Sequence, residues 1–224
     1  MLELLLSYVA PHPCISCGNL GALLCDNCKY NIVCDSFAGC LNCGRLAGVN
    51  GVCKSCKVPY SRAWCVGERV DELHELIDRY KFERARSADK ELATLLAEII
   101  PVLPSNTVII PVPTIRQHMR VRGYDHTYRI AQHLAKMKGV HARCLLQRRH
   151  QEMQRGASRQ QRIKQARRAF EVREVISPNV PYLIIDDVVT TGSTLKYAAK
   201  CLAGAGAQTV WVAAVARQVS TKRP

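Results

Sequence analysis

Residues 182–194, YLIIDDVVTTGST, constrain the fold more than any other stretch of the chain. Leu183, Ile184 and Ile185 run on without polar alternation, and Val188 and Val189 resume after two acids, the pattern of a strand buried on both faces of a parallel sheet. Asp186 and Asp187 then fall at the strand's carboxyl end, the edge where ligands bind in open α/β sheets. After Thr190, Thr191, Gly192, Ser193 and Thr194, the apolar residues Leu195, Ala198, Ala199 and Leu202 recur at helical spacing until Gly204 and Gly206 end the run. A helix N-terminus presents unpaired N–H groups and partial positive charge, so a turn of small residues there can wrap a phosphate. The two carboxylates suit the vicinal hydroxyls of a ribose. An ordinary capped helix needs one Ser, Thr or Asp, whereas this loop holds five small residues in a row. A Walker loop would need a lysine after its last glycine; Ser193 stands there.

Cysteine is the compositional outlier. Ten of the twelve precede residue 66, eight of them as the C-x-x-C pairs Cys14 and Cys17, Cys25 and Cys28, Cys40 and Cys43, and Cys53 and Cys56. A two-residue spacer lets both sulfurs of a pair reach one metal at about 2.3 Å, and two pairs complete a tetrahedral thiolate site. Repeated C-x-x-C pairs without a secretion signal fit metal binding in a reducing cytosol better than disulfides. The spacing predicts one or two structural zinc sites in a cytoplasmic protein. Sequential and interleaved pairings both remain open. Gly18 and Gly44 follow the second cysteine of a pair, where the turn toward the metal favours positive φ.

At 224 residues the chain can hold one ordinary domain and a small one. No apolar run approaches the roughly 18 residues of a membrane span, and MLELLLSYVA lacks the basic n-region of a signal, so a packing helix is expected there. A boundary near residues 57–62 divides a cysteine module, 1–60, from an α/β unit, 61–224. Helices are expected with Val70, Leu73, Ile77 and Tyr80 on one face, then Leu92, Leu95, Leu96 and Ile99, then Ile130, Leu134 and Met137. Strands are expected at TVIIPVPT, VHARCLL and QTVWVAAVA. The alternation implies an α/β fold with a mostly parallel sheet. The stretch between Leu146 and Phe170 is too long for a structureless connection without a functional reason.

These motifs carry a resemblance. Residues 182–194 are similar to the phosphoribosyl pyrophosphate (PRPP) signature of type I phosphoribosyltransferases. IPVPTIRQHMRVRGYDH, residues 110–126, resembles the P-V-P…R-G-F-N-Q segment of the ComF family, with Asp125 and His126 in place of N-Q. RRHQEMQRGASRQQR with ARRAF resembles that family's R-x-x-x-Q…R…A-F segment, and Lys81-Phe82 its K-F pair. The likeness implies a sheet of the type I phosphoribosyltransferase kind behind an N-terminal zinc-ribbon module. It implies that Thr190 to Thr194 hold the 5′-phosphate and that Asp186 and Asp187 meet the ribose hydroxyls, directly or through Mg²⁺ brought with PRPP. It also implies that the loop from Val112 and Pro113 to Arg116 cradles pyrophosphate, with Arg120 and Arg122 able to neutralise it.

Charge separates the functional classes. Residues 115–168 hold fifteen Lys or Arg against Asp125 and Glu152, nearly all of the chain's net +14. A single phosphorylated sugar needs far less, whereas a polyanion gains from each phosphate neutralised. Arg155, Arg159 and Arg162 are the candidate contacts to single-stranded DNA. With the resemblance, this gives a PRPP-binding protein acting on single-stranded DNA in DNA uptake, with proteins of the uptake machinery as partners. The alternative is a working phosphoribosyltransferase that displaces pyrophosphate from PRPP. No catalytic residue or acceptor is legible.

Overall fold

The computed structural model describes residues 12–82, 87–115, 119, 123–148 and 169–218. A short helix α1 (Asp26–Cys34) lies within the cysteine segment. It is followed by β1 (Arg62–Glu68), α2 (Asp71–Phe82), α3 (Ser87–Ile99) and β2 (Val108–Pro111). Then come α4 (His126–Lys138), β3 (His141–Ala142), β4 (Leu146–Arg148) and β5 (Phe170–Val172). The chain continues through β6 (Pro181–Val189), α5 (Ser193–Gly204) and β7 (Thr209–Arg217).

Five strands form one sheet in the order β1-β7-β6-β2-β3, and every neighbouring pair is parallel. The apolar run Leu183 to Ile185 of β6 is accounted for by its position, between β7 and β2 and under helices on both faces. Side chains alternate across a strand, and the two cores follow that alternation. Ile109, Leu183, Ile185 and Ala213 pack under α2, α3 and α4, while Ile110, Ile184, Val212 and Ala214 pack under α5. Buried residues of the cysteine segment divide likewise. Cys14, Leu23, Leu24 and Cys28 join the first cluster and Leu41 joins the second, so both cores cross residue 60.

Some elements differ from the sequence expectation. β1 has no counterpart in the sequence expectation, because the apolar run of RAWCVGE, Ala63 to Val66, is only four residues long and does not alternate. VHARCLL does not form one strand: β3 covers two residues, and the chain leaves the sheet before β4 pairs antiparallel with β5. Val70 and Met137, placed on apolar helix faces by their spacing, are 47% and 41% exposed. Val70 precedes the first turn of α2 and Met137 is in the last turn of α4, beyond the layers that cover each helix. The expected N-terminal packing helix and the basic segment 149–168 lie outside the described residues.

Leu24 is wholly buried in the same cluster as Leu92, Leu96 and Leu183. Leu24→Ala should therefore cost about 2–5 kcal/mol. The midpoint of denaturant unfolding followed through Trp64 and Trp211, both on sheet strands, should shift even though the substitution lies in the cysteine segment.

Candidate functional site

The eight C-x-x-C cysteines come together as two tetrads in sequential pairing. Cys14, Cys17, Cys25 and Cys28 form one and Cys40, Cys43, Cys53 and Cys56 the other, with all four sulfurs of a tetrad within 4.8 Å of one another. Both tetrads can hold a metal ion. The leading turn of each has the same backbone construction. The N–H of Gly18 donates to the Cys14 carbonyl at 2.9 Å and that of Gly44 to the Cys40 carbonyl at 2.8 Å. Both glycines have φ 77, a region open to glycine at no steric cost. These turns aim their cysteines at a common point.

At the carboxyl end of β6 the chain turns through Thr190 and Thr191, both exposed, into Gly192, which occupies the N-cap position of α5 with φ 70. Gly192 has no side chain with which to cap this helix. The hydroxyls interact with each other instead: Thr191 Oγ1 donates to Ser193 Oγ at 2.9 Å, and the Ser193 N–H reaches Thr191 Oγ1 only at 3.4 Å. The first turn of α5 thus keeps N–H groups and a positive dipole end directed at the loop, the local chemistry of an anion site.

The two acids ahead of the loop have different roles. Alternation along β6 sends them to opposite faces of the sheet. Asp187 is 7% exposed, and its Oδ2 meets Lys81 Nζ from the end of α2 and His126 Nε2, at 2.9 Å, from the start of α4. Burial opposes its ionisation, but the hydrogen bond from His126 and the charge of Lys81 outweigh burial and hold its carboxyl well below the usual range. Asp186 is less buried and accepts the N–H of Asp187 at 2.9 Å. Burial and the negative charge of Asp187 push its carboxyl well above the usual range. Burial pulls the Arg148 guanidinium, at the end of β4, below its ordinary range, a shift that the charge of Asp186 opposes, and the guanidinium lies 5.0 Å from the Phe170 ring centre.

The corner after β2 is held from both sides. The Val112 N–H donates to Ile185 at 2.8 Å, and the Pro113 carbonyl accepts from Arg148 Nε at 2.7 Å. Proline has no N–H, so Pro113 offers this corner no backbone donor. Thr114 Oγ1 donates to Asp125 Oδ1 at 2.9 Å. The same carboxylate caps α4 by accepting the Tyr128 N–H at 3.1 Å. Asp125 is therefore a helix cap, and His126 behind it an internal partner of Asp187. Tyr80 fixes this junction: its hydroxyl donates to the His126 carbonyl at 2.8 Å, and its own carbonyl accepts from Tyr124 at 2.7 Å.

Sequence spacing thus brought Asp186, Asp187 and Thr190 to Thr194 to one edge, with Val112 and Pro113 beside them. It did not reveal Lys81 and His126 as partners of Asp187. The available signal was their presence in the K-F and R-G-Y-D-H segments. Arg116, Arg120, Arg122, Arg155, Arg159 and Arg162 lie outside the described residues. Of the fifteen basic residues between 115 and 168, five are described, and four of these are engaged in the fold. Arg129 pairs with Asp89, Lys138 with the Ile100 carbonyl, Arg143 with Glu174 and Arg148 with Pro113. Lys136 is exposed.

A five-stranded parallel sheet carrying an uncapped, hydroxyl-rich loop after its central strand defines a phosphoribosyltransferase-type domain. The phosphoribosyl transferase domain family matches residues 121–224. Competence protein F of Haemophilus influenzae is 31% identical, over 91% of this chain and 96% of its own. Competence protein ComFC of Bacillus subtilis is 23% identical over 80% of this chain and 77% of its own. The DNA utilization protein YhgH of Salmonella typhi is 30% identical over 77% and 81%. The chain belongs to the ComF family of competence proteins. Among the described residues no helix is long and apolar enough to cross a membrane.

The Asp187 cluster gives a pH signature. A carboxylate whose folded pKa is depressed contributes stability that is present above its unfolded value, about 4, and is lost as pH falls below it. Asp187→Asn should cost about 3–5 kcal/mol at neutral pH, since it leaves Lys81 buried without its counter-charge. That deficit should narrow as melts are repeated from pH 5 down to pH 3. A deficit that stayed constant across this range would show that the ion pair does not act as described.

Proposed function

We propose that this protein binds PRPP or a related phosphoribosyl ligand at the β6–α5 loop, and single-stranded DNA through its basic segment, in the course of DNA uptake. The observation that carries the first half is the uncapped N-terminus of α5 behind Gly192. Thr190, Thr191, Ser193 and Thr194 receive the 5′-phosphate, with helix N–H groups and hydroxyls as donors. Asp186 accepts from the ribose hydroxyls. Asp187 sits behind it as an anchored charge, because Lys81 and His126 already occupy its Oδ2. Mg²⁺ suits such an arrangement, since it needs one or two carboxylates and takes its remaining ligands from diphosphate oxygens and water. Asp186 is the carboxyl that meets it, the cation favouring the ionised form that burial and Asp187 disfavour, and Arg122 with the corner after Val112 and Pro113 serves the diphosphate.

Zinc fits the tetrads. A Zn–S bond of about 2.3 Å places tetrahedral sulfurs ~3.8 Å apart. The Cys17–Cys25 and Cys43–Cys53 sulfurs lie 3.6 Å apart. Thiolate sites of this kind persist in a reducing compartment, which supports a cytoplasmic setting. The DNA half rests on the basic stretch 115–168, where Arg155, Arg159 and Arg162 contact the phosphate backbone. The names of the relatives, competence protein and DNA utilization protein, agree with it. Proteins of the uptake machinery complete the proposed partners.

Elemental analysis should find two zinc ions per chain. In calorimetry, Asp186→Asn should weaken PRPP at least about tenfold, a loss of roughly 1.4 kcal/mol. Affinity for single strands should fall by about 0.7 log units per log unit of salt for each phosphate contacted. The triple change of Arg155, Arg159 and Arg162 to alanine should reduce that slope by roughly two and leave the melting temperature in place. Pyrophosphate release from PRPP in a screen of bases, with no salt-sensitive DNA binding, would replace this reading with a phosphoribosyltransferase.

A further inference from the structure

The second cysteine tetrad and the glycine loop are in contact. A Cβ placed on Gly192 would lie 2.6 Å from the Leu41 carbonyl oxygen and 2.7 Å from the Asn42 Cα. Leu41 and Asn42 are the two spacer residues between Cys40 and Cys43, so the metal-binding turn itself forms one wall of the loop. Only glycine permits this approach, and its φ of 70 adds a second reason for it.

Arg217, the last residue of β7, fastens the same turn from the sheet side. Its Nη1 donates to the Cys40 carbonyl at 3.1 Å and to the Leu41 carbonyl. Its guanidinium lies 5.6 Å from the Phe37 ring centre, and its Nη2 would be 3.1 Å from a Cβ on Gly44. On β7, Arg217 is in register with Val189, directly ahead of Thr190, and the next N–H, of Gln218, donates to the Val189 carbonyl at 2.7 Å. Asn42 Nδ2 lies 3.2 Å from Cys56 Sγ and links the turn to the other half of its tetrad. A bare carbonyl oxygen against an anion loop would repel the anion. With Arg217 donating to it, the Leu41 oxygen is satisfied and a positive charge stands behind the loop.

We propose that Arg217 is a positioning residue that joins the second tetrad to the β6–α5 loop, so that metal in the tetrad and phosphate in the loop each favour the other's binding. The proposal rests on reading that loop as a phosphate site. Metal held by Cys40 and Cys43, together with Arg217, would fix the Leu41 carbonyl, and Gly192 lies against that carbonyl. Ordering either side therefore lowers the cost of ordering the other, and such coupling is reciprocal. The first tetrad packs with the opposite core and takes no part.

Alkylation of cysteines in the full-length, metal-loaded protein during chelator challenge, mapped peptide by peptide, reads the two tetrads separately. Arg217→Lys keeps the charge but loses the forked donor. It should speed labelling of Cys40, Cys43, Cys53 and Cys56 by about tenfold, within the usual range of coupling between sites, and leave Cys14, Cys17, Cys25 and Cys28 unchanged. Gly192→Ala, which needs no ligand, should do the same by pushing on the Leu41 carbonyl. PRPP should slow labelling of the second tetrad in the wild type and fail to do so in Arg217→Lys. Equal labelling of the second tetrad in wild type and both variants, or parallel acceleration of both tetrads, would overturn the proposal. So would PRPP that binds by calorimetry yet gives no protection. Calorimetry finding no PRPP binding at all would instead strike the phosphate reading, and the Gly192→Ala result would still decide whether loop and tetrad are mechanically joined.

Discussion

The contact on which the site depends is the one that Asp187 makes with Lys81 and His126. A carboxylate at the end of a central strand would ordinarily seek water, and here it is drawn inward by two groups from separate helices. The same contact sets the end of α2 and the start of α4 over the sheet edge, with Tyr80 and Tyr124 closing the joint. Removing one partner would leave a buried charge uncompensated, which costs more than the pair contributes. One acid of the pair is thereby assigned to holding the edge together, and the other, Asp186, takes no part in that contact.

The features legible in the sequence are local ones. The run from Leu183 to Leu202 contains its own strand, turn and helix signals, and the fold places each where the periodicity does. The C-x-x-C pairs likewise state their ligand atoms, and the positive φ of Gly18 and Gly44 follows from their place in the turn. Spacing alone left the pairing of the tetrads open, because four equivalent pairs combine in more than one way. The partners of Asp187 were hidden for a related reason. Lys81 and His126 meet it only after two helices have packed on the sheet, and neither has a local pattern that announces an ion pair. In sequence β3 and β4 read as one strand, because Cys144, Leu145 and Leu146 continue an apolar run, although the chain changes sheets within it.

The loop after β6 combines properties that seldom occur together by chance. It has a left-handed glycine, hydroxyls bonded to one another, a helix start without a side-chain cap, and a neighbouring backbone close enough to exclude any other residue at 192. Each has a cost if the loop only connects a strand to a helix. A side-chain cap in its place would contribute about 1 kcal/mol. That the described arginines and lysines of the basic stretch are mostly committed to internal partners separates the two halves of the functional proposal. The phosphate loop stands on its geometry, and the nucleic-acid surface stands on charge and kinship.

The strand order has a consequence for assembly. β1, the first strand, finds its sheet partner in β7, the last, and the turn carrying Cys40 and Leu41 is fastened by Arg217 at the far end of that strand. A chain emerging from its N-terminus can form the metal turns early, since each tetrad is closed by neighbouring pairs, but their apolar faces and the edge of β1 wait for nearly the whole sequence. Long-range parallel pairing is slow, and unpaired edges invite association with other chains in the meantime. Metal supply during synthesis would then bear on yield as well as on the finished site, since a turn closed around an ion its tetrad can hold would keep the waiting segment compact until β7 arrives.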